Sequence, residues 1–159
     1  MKNWNPIVML ALFITVCFVA AGASAISTRS SVSTWYPMLR KPAWNPPAWI
    51  FGPVWTVLYL MIAISAWLVW RERGFSRGAG ALGLFALQLA LNALWSPLFF
   101  GLRSPLAGFV DIVPLRAAIL AVLVSFWTIS PLAGALLVPY WLWVSFATVL
   151  NLAIWRLNR

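Results

Sequence analysis

The sequence predicts an all-α integral membrane protein, a bundle of five transmembrane helices without a soluble domain. Of its 159 residues, 64% are hydrophobic and only 8% are charged, whereas soluble domains carry about a quarter charged residues. The apolar residues form five long segments, each near the roughly 20 residues that a helix needs to cross a bilayer. Because unpaired backbone groups are costly in lipid, spanning segments of this kind must be helical.

The predicted spans begin at recognisable helix-start signals. The second span follows Asn45, which favours an N-cap, and two prolines that suit a first helical turn. Ser-Pro pairs at 104–105 and 130–131 mark the fourth and fifth spans in the same way. Residues 1–25 also resemble a cleavable secretory signal, but the apolar run reaches Ile26, which favours a retained helix. We expect one domain over residues 1–159 with helices at about 6–26, 46–70, 79–101, 105–129 and 132–156.

One connection is longer than the others. Residues 27–45 form a polar and aromatic segment between the first and second predicted helices. Long ordered loops inside compact domains more often carry function than not. We therefore expect residues 27–45 to act as a lid over a pocket.

The charge pattern excludes several functions. The net charge is +9, and the cations occur in short groups beside the apolar segments, as is typical of membrane flanks. A nucleic-acid binder would instead place them on one solvated face. The chain has no histidine and a single cysteine, Cys17, so neither a zinc site nor a His-ligated haem iron is expected. We predict no metal site, no resident cofactor and no nucleic-acid partner.

The chain contains 12 tryptophans. Most lie near span ends, where indoles commonly sit between lipid and water. Trp55, Trp95 and Trp143 lie deeper and toward the side of the long loop, and a buried indole needs close packing and a partner for its N–H. These three predict an aromatic pocket beneath the loop. Trp141 points away from Trp143 and is expected to face lipid.

The third predicted helix has two distinct faces. Gln88, Asn92 and Trp95 share one face at helical spacing, and amide side chains are costly against lipid, so this face should look into the bundle. The opposite face is a stripe of small residues, which permits either close packing within the monomer or a homodimer. The stripe comprises Ala79, Gly83, Ala86, Ala90 and Ala93.

Two charged residues fall inside the fourth predicted helix. Intramembrane charges are candidates for function by default. Asp111 and Arg116 are five positions apart, which places them about 140° from each other around a helix, so they do not form an obvious pair. The alternatives are a bond from Asp111 to a neighbouring element and extension of Arg116 toward the membrane surface.

Three runs of residues are distinctive together. The first contains Trp35-Tyr36, Lys41-Pro42, Trp44, Pro46-Pro47, Trp49 and Trp55. The second is Gln88-Leu89-Ala90-Leu91-Asn92 with Trp95 and Pro97, and the third is Pro139-Tyr140, Trp143 and Phe146-Ala147-Thr148. Across nearly the whole chain these runs resemble the tryptophan-rich sensory protein / translocator protein family (TspO/MBR), whose mammalian members are also called peripheral benzodiazepine receptors.

The resemblance implies a five-helix bundle, often dimeric, with a pocket closed by the first loop. Members of the family bind porphyrins, haem-related tetrapyrroles, sterols and benzodiazepine-type compounds. One departure puts a sterol role in doubt, because residues 150–156 lack the tyrosine of the mammalian sterol-recognition pattern. The ligand-binding residues that the resemblance implies are Trp55, Asn92, Trp95, Tyr140, Trp143, Ala147 and Leu150, with Trp44 and Ala23.

The sequence therefore predicts a membrane receptor or transporter-like protein that binds a porphyrin or related tetrapyrrole. Arg29, Arg40 and Lys41 are expected to meet the ligand's carboxylates. One alternative is light- or oxygen-dependent porphyrin degradation, although the sequence offers no catalytic residues of a recognised kind. Another is a ligand-sensing regulator of a second membrane protein. Membrane lipid, a sterol and a second copy of the chain are further expected partners, in a bacterial envelope.

Overall fold

The computed structural model describes residues 4–159, and this part of the chain is helical without any strand. Residues 1–3 of the signal-like segment lie outside it. Four of the helices are long and apolar enough to cross a membrane, so the chain is a multi-pass integral membrane protein. They are α1 (Pro6–Thr34), α2 (Ala48–Ser96), α3 (Pro105–Ile129) and α4 (Pro131–Leu157), with a 3₁₀ turn at Tyr36–Met38 and a π-helical turn at Pro97–Gly101.

Helix α2 is bent back on itself at Gly74. Its 49 residues would extend about 74 Å if straight. Gly74 has φ +64° and ψ −174°, a left-handed backbone conformation that glycine adopts readily because it has no Cβ. The hydroxyl of Tyr59 lies 2.6 Å from Oδ1 of Asn92, although 33 residues separate them. The two parts of α2, residues 48–73 and 75–96, therefore lie side by side in opposite directions.

The prediction of an all-helical membrane protein is confirmed, whereas the prediction of five separate helices is not. The structure has four membrane-length helices, because the segment expected to connect the second and third spans, residues 71–78, is helical on both sides of Gly74. It contains no proline that would interrupt the backbone hydrogen bonding.

The expected loop at residues 27–45 is shorter than predicted, because α1 continues to Thr34. Hydroxyl side chains in this stretch bond within the helix or to its neighbour. Thr28 Oγ1 donates to the Ser24 carbonyl at 2.9 Å, and Ser31 Oγ donates to the Phe100 carbonyl at 2.8 Å. Polar residues here therefore stabilise a helix end rather than a loop, and only residues 35–47 connect α1 to α2.

The helix starts follow the predicted signals at two of three positions. Ser104 caps α3 by accepting a hydrogen bond from the Ala107 amide at 3.2 Å, and α4 begins at Pro131 after Ser130. Asn45 is not the N-cap of α2, which begins at Ala48 after Pro47. The Asn45 side chain instead accepts a hydrogen bond from the Tyr36 hydroxyl at 3.1 Å, within the loop.

Helix α1 packs against α2 and the π-helical turn, while α3 and α4 pack against each other and against α2. The buried face of α1 carries Met9, Phe13 and Cys17 at four-residue spacing, as expected for one side of a helix. Helices α3 and α4 approach closely at Gly134, where a Cβ would lie 2.8 Å from the Trp127 Cα. Only glycine permits this contact.

Candidate ligand-binding site

A cavity of about 780 Å³ lies inside the bundle, between α1, both parts of α2, α3 and α4. This volume is within the range of roughly 300–1,000 Å³ that is typical of small-molecule pockets. Its aromatic walls come from α2 and α4, and the wall from α1 is made largely of small residues such as Ala21, Gly22 and Ala25. Apart from its chain neighbours and its own helical backbone, no atom lies within 4 Å of the position that a Cβ on Gly22 would occupy, so the cavity keeps its width there.

The aromatic walls are held by ring-to-ring contacts. Phe51 meets Trp143 edge to face with ring centroids 5.9 Å apart, and Trp55 lies 5.6 Å from Tyr59. Trp95 stacks on Phe99 at 5.0 Å, and its Nε1 donates to Asn151 Oδ1 at 3.2 Å. Such contacts fix the orientation of the indoles, so the cavity presents flat apolar surfaces of defined position.

Behind the aromatic wall runs a chain of four hydrogen-bonded side chains, here called the polar chain. Tyr59 donates to Asn92 Oδ1 at 2.6 Å, Asn92 Nδ2 donates to the Tyr140 hydroxyl at 2.6 Å, and Tyr140 donates to Gln88 Oε1 at 2.9 Å. All four residues are buried. Asn92 is the member that lines the cavity together with Tyr59. The polar chain therefore sets which way the Asn92 amide points.

A smaller cavity of about 500 Å³ adjoins the first beneath the loop, and the two share Thr28, Phe51 and Trp95 among their lining residues. Lys41 lies at this cavity with its Nζ 3.1 Å from the Leu39 carbonyl and 4.6 Å from the centroid of the Tyr36 ring. Burial raises the pKa of the Tyr36 hydroxyl above its ordinary value, although its hydrogen bond to Asn45 acts in the opposite direction. A cation therefore sits at the loop end of a largely apolar space.

The loop at residues 35–47 is hydrogen-bonded to Asn158 at the end of α4. The Arg40 amide donates to Asn158 Oδ1 at 2.9 Å, and Asn158 Nδ2 donates to the Arg40 carbonyl at 2.9 Å. The same Nδ2 also bonds to the Ile154 carbonyl at 2.7 Å. Sequence reasoning missed Asn158, because its partner lies 118 positions away and nothing local marks it.

The structure brings together most of the residues predicted to bind ligand. Arg29 lies at the larger cavity, and Leu150 and Lys41 lie at the smaller one. Tyr140 is fully buried behind Asn92 and reaches neither cavity. Sequence reasoning also missed Tyr59, whose alignment with Asn92 depends on the bend at Gly74. The remaining predicted residues at the larger cavity are Trp55, Asn92, Trp95, Trp143 and Ala147.

Besides Tyr140, three predicted residues lie outside both cavities. Trp44 is 47% exposed and packs against Phe146 with ring centroids 5.8 Å apart. Ala23 is exposed on α1, although its neighbours Gly22 and Ser24 line the larger cavity. Arg40 is exposed and contributes its backbone to the Asn158 contact. None of these three residues therefore lies where it could contact a ligand in either cavity, because their positions on the helix and in the loop direct their side chains outward.

Most of the small-residue stripe on α2 lies on the surface of the monomer. Ala79, Gly83, Ala86 and Ala90 are all exposed, while residues 81, 85, 88, 89 and 92 face the interior. These four residues therefore do not pack within the monomer, because the polar and aromatic residues of this segment occupy the inward face. Ala93 is half-buried, and its carbonyl accepts a hydrogen bond from Ser24 Oγ of α1 at 3.3 Å. The homodimer alternative stays a prediction.

The two intramembrane charges have different surroundings. Asp111 is buried, and its Oδ2 has no hydrogen-bond partner among the described residues. Arg116 is exposed on the outer side of α3, where its Nε donates to Ser145 Oγ at 2.9 Å. Its guanidinium lies 5.2 Å from the ring centroid of Trp141. Trp141 is accordingly half-buried beneath this guanidinium on the outer side of α4, and its contact with lipid stays a prediction.

Comparison with known proteins gives consistent matches. Residues 13–156 match the model of the TspO/MBR family. The chain is 44% identical over 158 residues to "Tryptophan-rich protein TspO" of Chlorobaculum tepidum, covering 97% of this chain and 98% of that protein. It is 44% identical over 127 residues to the human "Translocator protein", covering 79% and 75% of the two chains. It is 38% identical over 152 residues to "Protein CrtK" of Rhodobacter capsulatus, covering 94% and 92%.

Proposed function

Because the chain belongs to the TspO/MBR family, as its sequence resemblance predicted, we propose that it is a receptor or transporter-like protein for a planar tetrapyrrole such as a porphyrin. The observation that carries this proposal is the cavity of about 780 Å³ with Trp55, Trp95 and Trp143 in its walls. Flat indoles suit a flat aromatic macrocycle, because stacked and edge-to-face aromatic contacts are favourable. The proposed ligand binds reversibly in the cavity and is not a permanently bound cofactor.

Asn92 supports recognition of a hydrogen-bond acceptor on the ligand. Its Oδ1 already accepts from Tyr59, and one hydrogen of its Nδ2 is used by Tyr140. The second Nδ2 hydrogen is the remaining donor of this amide, and Asn92 lines the cavity. The polar chain thus favours a ligand that presents a lone pair at this point, such as a carbonyl oxygen or an unprotonated ring nitrogen.

Arg29 and Lys41 support a ligand with acidic groups at one edge. Arg29 lies at the larger cavity and Lys41 at the smaller one, both toward the end of the bundle that carries the loop. Charge-assisted hydrogen bonds to carboxylates are stronger than neutral ones. In this proposal the macrocycle occupies the aromatic cavity while its carboxylates point toward the loop. Because the chain has no histidine, a metal-free porphyrin should bind about as well as haem.

The arrangement in the membrane is part of the proposal. We propose that α2 crosses the bilayer twice, with its bend at Gly74 near one surface, so that the chain has five spans. The support is that its 49 residues exceed twice the length needed for one crossing. We also propose that the exposed small stripe at Gly83 and Ala86 pairs two copies, because small residues permit close approach of helices in lipid. A bacterial envelope membrane is the proposed location.

The test is quenching of tryptophan fluorescence in the purified full chain titrated with protoporphyrin IX. Trp55→Phe and Trp143→Phe remove cavity indoles but keep an aromatic ring at each position. Trp49→Phe is the matched control, because Trp49 is 73% exposed and lines neither cavity. Saturable quenching at micromolar ligand that weakens in both cavity variants and persists in the control supports the proposal.

Quenching that rises linearly and is the same in all variants would mean that the porphyrin only partitions into detergent, and the cavity assignment would be rejected. The mass of the recovered ligand separates binding from chemistry. Recovery of unchanged protoporphyrin after illumination in air supports a binding protein, whereas a product of different mass supports the degradation alternative.

A further inference from the structure

Arg116 lies at the middle of a membrane-length helix. It is 11 residues after Pro105 and 13 before Ile129 in α3, which places its Cα about 16 Å and 20 Å from the two helix ends. The residue is exposed on the outer side of the bundle. A charged side chain at this depth is costly against lipid tails, and such residues are rare unless something compensates for the charge.

The side chain does not reach toward a membrane surface. Its Nε donates to Ser145 Oγ at 2.9 Å, and Ser145 Oγ in turn donates to the Trp141 carbonyl at 2.7 Å. Ser145 is 12 residues before the end of α4 at Leu157, or about 18 Å along that helix. The guanidinium is therefore held at mid-depth against Trp141. The side chain does not extend to the membrane surface.

Hydrogen-bond donors remain unused around this group. Within residues 4–159, Arg116 makes no ion pair, and its recorded contacts are the Ser145 bond and the Trp141 ring. Its two terminal nitrogens thus have no partner in that part of the chain. The surface therefore offers a positive charge and free N–H groups, but no negative charge.

This surface is separate from the proposed tetrapyrrole cavity. The cavity is lined on α4 by Trp143, Val144 and Ala147, whereas Arg116 contacts Trp141 and Ser145. Positions two apart on a helix differ by about 200°, so Trp143 and Ala147 lie on the opposite side of α4 from Trp141 and Ser145, and Val144 is buried. A ligand in the cavity would not meet the guanidinium.

We propose that the outer face of α3 and α4 around Arg116 docks a transmembrane helix of another protein that carries an ionised Asp or Glu at mid-span. Charge complementarity is the argument, because a carboxylate at the same depth neutralises the guanidinium and accepts its free N–H groups. The flanking surface fits an apolar helix, since Val113 and Leu120 are 48% and 43% exposed beside Arg116, and Leu142 and Val149 are 56% and 58% exposed on α4.

A second copy of the chain does not supply this carboxylate. The sequence has two acidic residues. Asp111 is 5% exposed, and Glu72 lies two positions before the bend at Gly74, near the end of a helical segment. Neither presents an exposed carboxylate at mid-depth. The proposed partner is therefore a different chain, and the contact is distinct from the small stripe on α2.

A designed peptide tests the surface without knowledge of the natural partner. The probe is a polyleucine span with lysine flanks, a donor dye and one central Glu; matched peptides carry Gln or Leu instead. The full chain is labelled on a cysteine appended after Arg159, because Cys17 is fully buried. Energy transfer in liposomes should show that the Glu peptide associates about tenfold more tightly than the Leu peptide.

Arg116→Leu should reduce that preference to less than about twofold. Arg77→Leu is the control, because it makes the same change in net charge at an exposed arginine close to the bend. The proposal fails if Gln and Glu peptides bind equally, since recognition would then be of polarity and not of charge. It also fails if Arg77→Leu removes the preference as fully as Arg116→Leu does.

Discussion

The hydroxyl of Tyr59 donates a 2.6 Å hydrogen bond to the side-chain carbonyl of Asn92 across the two antiparallel parts of α2. This bond is the first of the polar chain and joins segments that meet only because α2 bends at Gly74. Asn92 also donates from its Nδ2 to the Tyr140 hydroxyl, so both the oxygen and the nitrogen of this amide are hydrogen-bonded. The fold and the proposed ligand recognition therefore depend on the same side chain.

Tyr59→Phe should destabilise the folded protein by about 1–3 kcal/mol, because it leaves the buried Oδ1 of Asn92 without its donor. It should also weaken porphyrin binding, since the amide then keeps only its bond to Tyr140 to fix its orientation. Reversible unfolding in mixed detergents measures the first effect, and fluorescence titration measures the second. Tyr36→Phe is the matched control, because the Tyr36 hydroxyl bonds to Asn45 in a half-buried loop, where water can replace the lost partner. Equal losses in the two variants would contradict this account.

Gly134→Ala should destabilise the α3–α4 pair by about 1–3 kcal/mol through overpacking. The added Cβ would lie 2.8 Å from the Cα of Trp127, and backbone cannot move aside as a flexible side chain can. Gly80→Ala makes the same chemical change in α2, where no atom outside its own helical backbone lies within 4 Å of the new Cβ. It should stabilise by about 0.5–1 kcal/mol, because alanine loses less conformational freedom on folding. Thermal unfolding of the two variants side by side gives the comparison; similar shifts in both would refute it.

Asn158→Ala should loosen the loop at residues 35–47. The substitution removes both hydrogen bonds to the Arg40 backbone, at a net cost of about 1 kcal/mol, which corresponds to roughly fivefold more frequent opening. Hydrogen exchange at the Arg40 amide reports this directly, and faster porphyrin release should accompany it. Arg159→Ala alters the adjacent residue, which contacts the Trp155 ring instead of the loop, and should leave exchange unchanged. Unaltered exchange in Asn158→Ala would show that the loop is held elsewhere.

Gly83→Leu should reduce dimer formation by at least about fivefold if the exposed stripe pairs two copies, because a large side chain prevents close approach of the helices. Sedimentation of the protein in detergent over a range of protein-to-detergent ratios measures the association. Ala117→Leu is the control, since it enlarges an exposed residue on a different helix. If the dimer persists in Gly83→Leu but is lost in Ala117→Leu, the proposed interface is contradicted and the dimer contact lies on α3.

Individual residues show where prediction from the sequence succeeds and where it stops. Trp55, Trp95 and Trp143 line one cavity, and the sequence pointed to their proximity because depth along a helix and side-chain direction follow from helical geometry. Tyr140 was assigned to the pocket as well, yet it lies behind Asn92 in the polar chain. The end of α1 was misplaced by eight positions, from Ile26 to Thr34, because polarity alone does not show that hydroxyl groups bond back to the helix.

The sequence by itself determined that this protein is helical and lies in a membrane, since its long apolar segments carry too few charged residues to be stable outside lipid. It also determined which residue types can form the pocket. The tertiary structure decided which of them meet. Tyr59 reaches Asn92 because of one left-handed glycine, and Arg116 faces outward while Asp111 faces inward. These outcomes depend on how helices rotate and pack against one another, and such contacts join residues too far apart in the chain for local pattern to specify.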